Sequence, residues 1–173
     1  MRLEPGQSTE IAFRLNGRSV RTIVSARQNM ADVLRIAFRL TGTHLACEQG
    51  VCGACNILAD GEVVRGCLML AVQADGRSIV TIEGLSESGG IADLQQAFVE
   101  RNALQCGFCT AGMLLAAHGL LRSCPDPDRA QIRDGISGNV CRCTGYHAIV
   151  DAIEAVAIAR SSASAMERTA DER

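Results

Sequence analysis

The residues best suited to chemistry are cysteines, arranged as Cys47-x4-Cys52-x2-Cys55 followed by Cys67, and as Cys106-x2-Cys109 followed by Cys141-x-Cys143. A ninth cysteine, Cys124, belongs to neither set. Four thiolates per set suit one metal centre per set. The first spacing is the plant-type [2Fe–2S] pattern, a C-x4-C-x2-C loop with a distant fourth ligand. Such a cluster takes three thiolates from one tight loop and a fourth from a separate strand. Gly50 and Gly53 let that loop bend with positive φ and approach inorganic sulfide closely. Zinc favours two C-x2-4-C knuckles, which this set lacks.

The second spacing is less specific. Alone, Cys106-x2-Cys109 with Cys141-x-Cys143 fits zinc about as well as an iron–sulfur centre. Two features favour iron–sulfur. Cys141-Arg142-Cys143 is an unusual zinc knuckle, and a disulfide between residues so close is strained. The neighbouring plant-type set also raises the case for a second centre of its kind. Helix ends beside it would aim N–H dipoles at its negative charge.

Elements must position these thiols. Thr9–Leu15 alternates apolar and polar residues, Asn16-Gly17 is a hairpin signal, and Arg18–Val24 is the returning strand. Asn29 caps a helix with an apolar face of Val33, Leu34, Ala37, Phe38 and Leu40, which Gly42 ends. After the first cysteine loop, Cys55–Ala59 and Glu62–Cys67 read as strands around Asp60-Gly61, and Ser78–Ile82 as one more. Cys67 thereby stands at a strand end, placed to close the first site. This is a β-grasp-like arrangement. Ser86–Gly90 reads as a linker. Helical periodicity then takes over in Ile91–Phe98, Ala111–Leu121, Asp128–Ile136 and Tyr146–Arg160. The second cysteine set falls at the ends of these helices. The class is α+β: residues 1–85 ferredoxin-like, 86–90 linker, 91–160 helical, and 161–173 a small, polar, frayed tail.

Composition narrows the partners. The chain has 173 residues, a formal net charge of −2, only 3% aromatics and no Trp, so two small cores would benefit from metal staples. No basic block suggests nucleic acid. Met1–Glu10 shows no apolar signal core or twin arginine, and Ala111–Leu121 is too short to span a bilayer. A cytoplasmic location and metal-bound rather than disulfide-paired cysteines are the expectation.

Gln105-Cys106-Gly107-Phe108-Cys109-Thr110-Ala111-Gly112-Met113 and Gly138-Asn139-Val140-Cys141-Arg142-Cys143-Thr144-Gly145-Tyr146 resemble the second-cluster signatures of the molybdenum hydroxylases. That family includes the xanthine dehydrogenases, aldehyde oxidoreductases and aerobic carbon monoxide dehydrogenases. The chain resembles their small iron–sulfur subunit over about residues 9–160. The resemblance implies a ferredoxin-like domain followed by a four-helix bundle, each with a [2Fe–2S] cluster. It implies a large subunit with molybdopterin nearer the helical-domain cluster, and a medium subunit with FAD nearer the ferredoxin-like one. It further implies that Gln105 contacts the pterin, and that Cys143 is both ligand and pterin neighbour. A heterotrimer, or a dimer of heterotrimers, would be the assembly. The family's Thr-Pro-Gly is Thr110-Ala111-Gly112 here; Ala allows the same helix start without Pro's preorganisation.

Other residues have plainer readings. His44 precedes Cys47 by three positions, but a Rieske centre needs two histidines. His118 sits among apolar helix neighbours as a packed histidine. His147 at a helix start could face a partner. Cys124 is a structural thiol. No nucleophile–base constellation, paired-carboxylate site or phosphate loop is present, so the chain alone is expected to turn over no substrate. The function expected is electron transfer from molybdopterin through two clusters to FAD. A free-standing ferredoxin-type carrier and a zinc-stabilised interaction module are the rivals.

Overall fold

The computed structural model describes residues 6–171. Its first half is a five-stranded sheet in the order β2-β1-β5-β3-β4. Strands β1 (Ser8–Leu15) and β2 (Arg18–Ser25) form an antiparallel hairpin. The turn takes positive φ at Asn16 (49°) and Gly17 (81°), as a primed hairpin turn requires. Ile11, Phe13 and Leu15 alternate inward and are buried. Strand β5 (Ser78–Val80) runs parallel to β1 and antiparallel to β3 (Asn56–Ala59), which pairs with β4 (Glu62–Arg65).

Helix α1 (Met30–Ile36) lies against this sheet, its Met30, Val33 and Leu34 sharing a core with Ile57 and Ile79. The Asn29 side chain caps it by accepting from the Asp32 N–H at 2.8 Å. The helix stops earlier than its apolar pattern suggested. Arg39 takes φ of 58°, and Arg35 Nη1 donates to the Thr41 and Thr43 carbonyls, turning the chain away. Phe38 keeps its apolar role outside the helix, edge-on to Phe13 with centroids 5.7 Å apart.

The expected linker is partly helical. Helix α2 (Ile82–Glu87) absorbs Ser86 and Glu87, because Ile82 and Leu85, three apart, both bury into the second core. That core joins Leu94 and Phe98 of α3 (Ala92–Glu100), Met113 and Leu115 of α4 (Thr110–Ser123), Ile132 of α5 (Arg129–Gly135), and Ile149, Ile153 and Val156 of α6 (His147–Asp171). Asp128 and Gln131 form a capping box at the start of α5. Helix α6 continues through Ser161 and Ser162 to Asp171, over part of the segment that the sequence reads as a tail. Residues 1–5 of the expected first domain, and 172–173 of the expected tail, lie outside the described residues. The α+β class, a β-grasp-like sheet followed by packed helices, is as the sequence indicated.

Candidate metal centres

The first cysteine loop runs from the end of α1's turn to β3. Its backbone is left-handed at Glu48 (φ 51°), Gly50 (80°) and Gly53 (74°). These bends turn N–H groups toward sulfur, and the Cys52 N–H donates to Cys47 Sγ at 3.4 Å. Backbone N–H bonds from Gln49 and Cys52 lower the Cys47 thiol to about 6, so it is largely thiolate at neutral pH. Cys55 differs. Burial pushes it up to about 11, with the neighbouring Cys67 thiol adding to the rise. It needs a metal to displace its proton. The Gly66 N–H donates to the Cys55 carbonyl at 3.0 Å and holds the β4 end beside the loop. Cys47 is thus in contact with Cys52, and Cys55 neighbours both Cys67 and Cys52, so the four thiols of the set lie together.

The second set is gathered from two segments. Cys109 is the N-cap residue of the 14-residue α4, so the free N–H groups of that helix start at the site. Gly107 (φ 82°) bends the loop between Cys106 and Cys109. Cys141 and Cys143 lie between α5 and α6. Cys143 Sγ is 3.7 Å from Cys106 Sγ, and Cys109 is in hydrogen-bond contact with Cys141. The four thiols lie together, with Cys109 also near Cys106 and Cys143 also near Cys141. Burial, then the Cys141 neighbour, pushes Cys109 up to about 12. Burial also acts to raise Cys141, but hydrogen bonds outweigh it, led by the Thr144 hydroxyl at 3.1 Å, and its pKa is lowered. The hydroxyl of Tyr146 accepts from the Cys141 N–H at 2.8 Å and donates to the Asn139 carbonyl at 3.0 Å, pinning the strand of chain that carries Cys141.

This donor chemistry fits a binuclear centre. Thiolates are soft ligands for iron–sulfur clusters, and two irons take terminal sulfurs two by two. A single tetrahedral ion would need all four sulfurs around one point. Among the described residues, no three His, Cys, Asp or Glu side chains close around one ion.

The two sites are tied together by polar groups that motif spacing does not reveal. Asn139, 2% exposed, donates to the Gly53 carbonyl at 3.2 Å and accepts from Asn56 Nδ2 at 3.3 Å. Asn56 Nδ2 also donates to the Gly112 carbonyl in α4 at 3.0 Å. Arg65 donates through Nε to the Gly50 carbonyl at 3.1 Å, through Nη2 to the Gly138 carbonyl at 2.6 Å, and through Nη1 to Asn56 Oδ1. In the sequence Asn139 stands out only as part of a signature, and Asn56 and Arg65 carry no signal beyond lying near Cys55 and Cys67.

Gln105 reaches the second site, its Nε2 donating to the Cys143 carbonyl at 3.1 Å. His44 spans the sites differently: its Nδ1 is 2.7 Å from the Phe108 carbonyl and its ring stacks on Phe108 at 4.7 Å. Cys124 is half-buried at the end of α4, in neither set. His118 Nδ1 is buried without a partner, and desolvation lowers its pKa. His147 lies at the start of α6, facing a cavity of about 300 Å³ shared with Arg133 and Tyr146.

Known proteins share this architecture. Residues 13–78 match the family described as "2Fe-2S iron-sulfur cluster binding domain", and residues 81–154 match "[2Fe-2S] binding domain". The chain is 52% identical over 149 residues to the nicotine 6-hydroxylase small subunit of Paenarthrobacter nicotinovorans, covering 86% of this chain and 90% of the relative. The chain belongs to the small iron–sulfur subunits of the molybdenum hydroxylase family. Caffeine dehydrogenase subunit gamma of Pseudomonas sp. (strain CBB1) is 51% identical over 149 residues, 84% of this chain and 89% of that one. Among solved structures, quinoline 2-oxidoreductase from Pseudomonas putida 86 superposes with a TM-score of 0.85 at 49% identity, over 92% of this chain and 98% of that one. The Desulfovibrio gigas aldehyde oxidoreductase gives 0.82 at 40% identity, over 89% of this subunit but 17% of the longer chain. The iron–sulfur subunit thus carries two [2Fe–2S]-binding domains of an oxidoreductase complex.

Proposed function

We propose that this electron-transfer subunit accepts electrons from molybdopterin on a large partner subunit and passes them through two [2Fe–2S] clusters to FAD on a medium one. The ligands in this reading are Cys47, Cys52, Cys55 and Cys67 for one cluster, and Cys106, Cys109, Cys141 and Cys143 for the other. The observation that carries it is the gathering of four cysteines at each site, in the second from two separate segments with Cys143 Sγ 3.7 Å from Cys106 Sγ. The ferredoxin-like unit would extend over 1–85 and the helical unit over 91–160. When bound, the clusters supply one-electron carriers between a two-electron oxidation and a flavin.

The chain's own residues do the rest. Backbone N–H groups at the left-handed bends, and the Thr144 hydroxyl, donate toward sulfur and set its electron density. Helix α4 directs its N-terminal dipole at the second site. Gln105, already bonded to the Cys143 carbonyl, keeps its amide oxygen as an acceptor for a pterin edge beside Cys143. Substrate choice lies with the partners. Subunits half identical to this one serve complexes named for nicotine and for caffeine, so this architecture accompanies different substrates. Among the described residues no helix is long and apolar enough to cross a membrane, and a cytoplasmic heterotrimer, alone or as a dimer of heterotrimers, is the assembly we infer.

Purification of the tagged chain from its native source tests this. Two co-purifying subunits, equal iron and acid-labile sulfide, and two paramagnetic signals on reduction are expected. Stoichiometric zinc without sulfide would sink the cluster reading. A free monomer in native extract would favour the ferredoxin-type carrier.

A further inference from the structure

Arg65 occupies an unusual position. It is the last residue of β4, two before Cys67, yet its guanidinium is spent on three different segments. Nε donates to the Gly50 carbonyl inside the first cysteine loop. Nη2 donates to the Gly138 carbonyl, three residues before Cys141. Nη1 donates to Asn56 Oδ1, and Asn56 in turn holds Asn139 and the Gly112 carbonyl. Asn139 closes the circuit on the Gly53 carbonyl. Asn56 and Asn139 are 1% and 2% exposed, so these polar groups have no water to fall back on.

The space around the circuit is equally tight. A Cβ on Gly53 would come within 2.6 Å of the Asn139 side chain and 2.7 Å of the Gly138 carbonyl. A Cβ on Gly138 would meet the Arg65 guanidinium at 2.5 Å. The two cysteine loops are thus held together by a planar fork that only Arg supplies: three N–H vectors at fixed angles, permanently charged.

We propose that Arg65, with Asn56 and Asn139 as its buried relay, is a positioning residue for electron transfer between the two cysteine sites. It fixes the separation and orientation of the two loops, and it places a cation between centres that carry negative charge. The inference rests on the two-cluster reading above. The transfer it serves moves one electron, oxidising the centre at Cys106, Cys109, Cys141 and Cys143 and reducing the centre at Cys47, Cys52, Cys55 and Cys67. No bond forms or breaks. Removing the fork leaves the Gly50 and Gly138 carbonyls and Asn56 Oδ1 short of a donor and costs some stability, while each loop keeps its other anchors through β3, β4, α4 and α6.

The test uses the assembled complex carrying Arg65→Lys or Arg65→Gln. Lysine keeps the charge and loses the fork; glutamine loses both. Iron and sulfide content and both single-cluster paramagnetic signals should stay at wild-type levels. The magnetic splitting between the two reduced centres should diminish or vanish in both variants. The potentials of the centres should move in Arg65→Gln more than in Arg65→Lys, and electron redistribution after a substrate pulse should slow several-fold. Asn139→Ser, which leaves Arg65 in place, gives the same readout if the Arg65 variants do not assemble. Wild-type splitting and redistribution rate in a fully loaded variant would overturn the proposal. Absence of two cluster signals in the wild type would instead refute the two-cluster reading itself.

Discussion

The backbone N–H of Val140 donates to the carbonyl oxygen of Cys52 at 2.8 Å. One hydrogen bond therefore joins a residue of the first cysteine set to the immediate neighbour of Cys141 in the second. The loops can approach this closely because glycines line the seam. A Cβ on Gly112 of α4 would collide with the Gly53 carbonyl and stand 3.1 Å from the Ala54 Cα. These are backbone atoms and have no rotamer to yield. Gly112→Ala should destabilise the subunit by about 1–3 kcal/mol through overpacking. Its unfolding midpoint checks this, with the first-set cluster disturbed before the rest, since Gly53 lies in that loop.

Cysteine replacements separate the two sets. Cys52→Ser should remove or alter the ferredoxin-like cluster and leave the helical-domain signal in place. Cys124→Ser should preserve both, because that residue closes the far end of α4 through its backbone N–H, away from either set. The readout is the pair of paramagnetic signals with iron per chain. Loss confined to the helical-domain signal in Cys52→Ser would show the partition of cysteines to be wrong.

Much of this organisation is legible in order along the chain. Period-2 alternation at Ile11, Phe13 and Leu15 and the Asn16-Gly17 turn place the hairpin, and the x4, x2 and x spacings sort the cysteines. What stays hidden depends on distant partners. Ser86 and Glu87 look like linker until Ile82 and Leu85 find the second core. Phe38 and Leu40 look helical because they are apolar, whereas they pack from a turn opened by Arg39. The Arg65–Asn56–Asn139 circuit joins positions up to 86 residues apart, and no local pattern encodes such a bond.

Gln105→Ala should keep both clusters and the fold, since the residue is exposed and contributes one hydrogen bond to the Cys143 carbonyl. It should slow substrate-driven reduction of the helical-domain cluster or loosen the pterin in the assembled complex. Rapid-mixing spectroscopy and molybdopterin content report the two effects. A fully occupied pterin with unchanged reduction would confine Gln105 to bracing its own loop.

A pH-dependent contribution resides at the α3–α6 contact. Arg160 donates from Nε and Nη2 to Asp93 at 2.7 and 2.9 Å and, chiefly through that bond, depresses the Asp93 pKa. A depressed carboxyl stabilises the fold above its unfolded pKa, and the contribution is lost as pH falls through the folded value. Both side chains are about a third to a half exposed, so solvent screening limits the pair to at most about 1 kcal/mol. Arg160→Ala should lower the urea midpoint at pH 7, and the gap to wild type should close on acidification below about pH 4. High salt at pH 7 should narrow it too. A gap that persists in acid would assign the loss to packing of the arginine stem.

The final prediction concerns Thr144, whose hydroxyl donates to Cys141 Sγ at 3.1 Å while accepting from the Tyr146 N–H at 3.3 Å. A hydrogen bond to a ligating sulfur withdraws electron density from it and favours the reduced, more negative cluster. Thr144→Val keeps the shape of the side chain and deletes the donor. The potential of the helical-domain cluster should fall by an amount on the order of tens of millivolts, the one-electron equivalent of a fraction of a charge-assisted hydrogen bond. The ferredoxin-like cluster should not move, because the hydrogen bonds of the Thr144 hydroxyl go to Cys141 Sγ and Tyr146 N–H, both at the second cysteine set. Redox titration followed by the two separate paramagnetic signals distinguishes them. Thr144→Ser restores the donor and should return the potential. An unmoved potential in Thr144→Val would mean that the hydroxyl serves the loop geometry through Tyr146 rather than the sulfur.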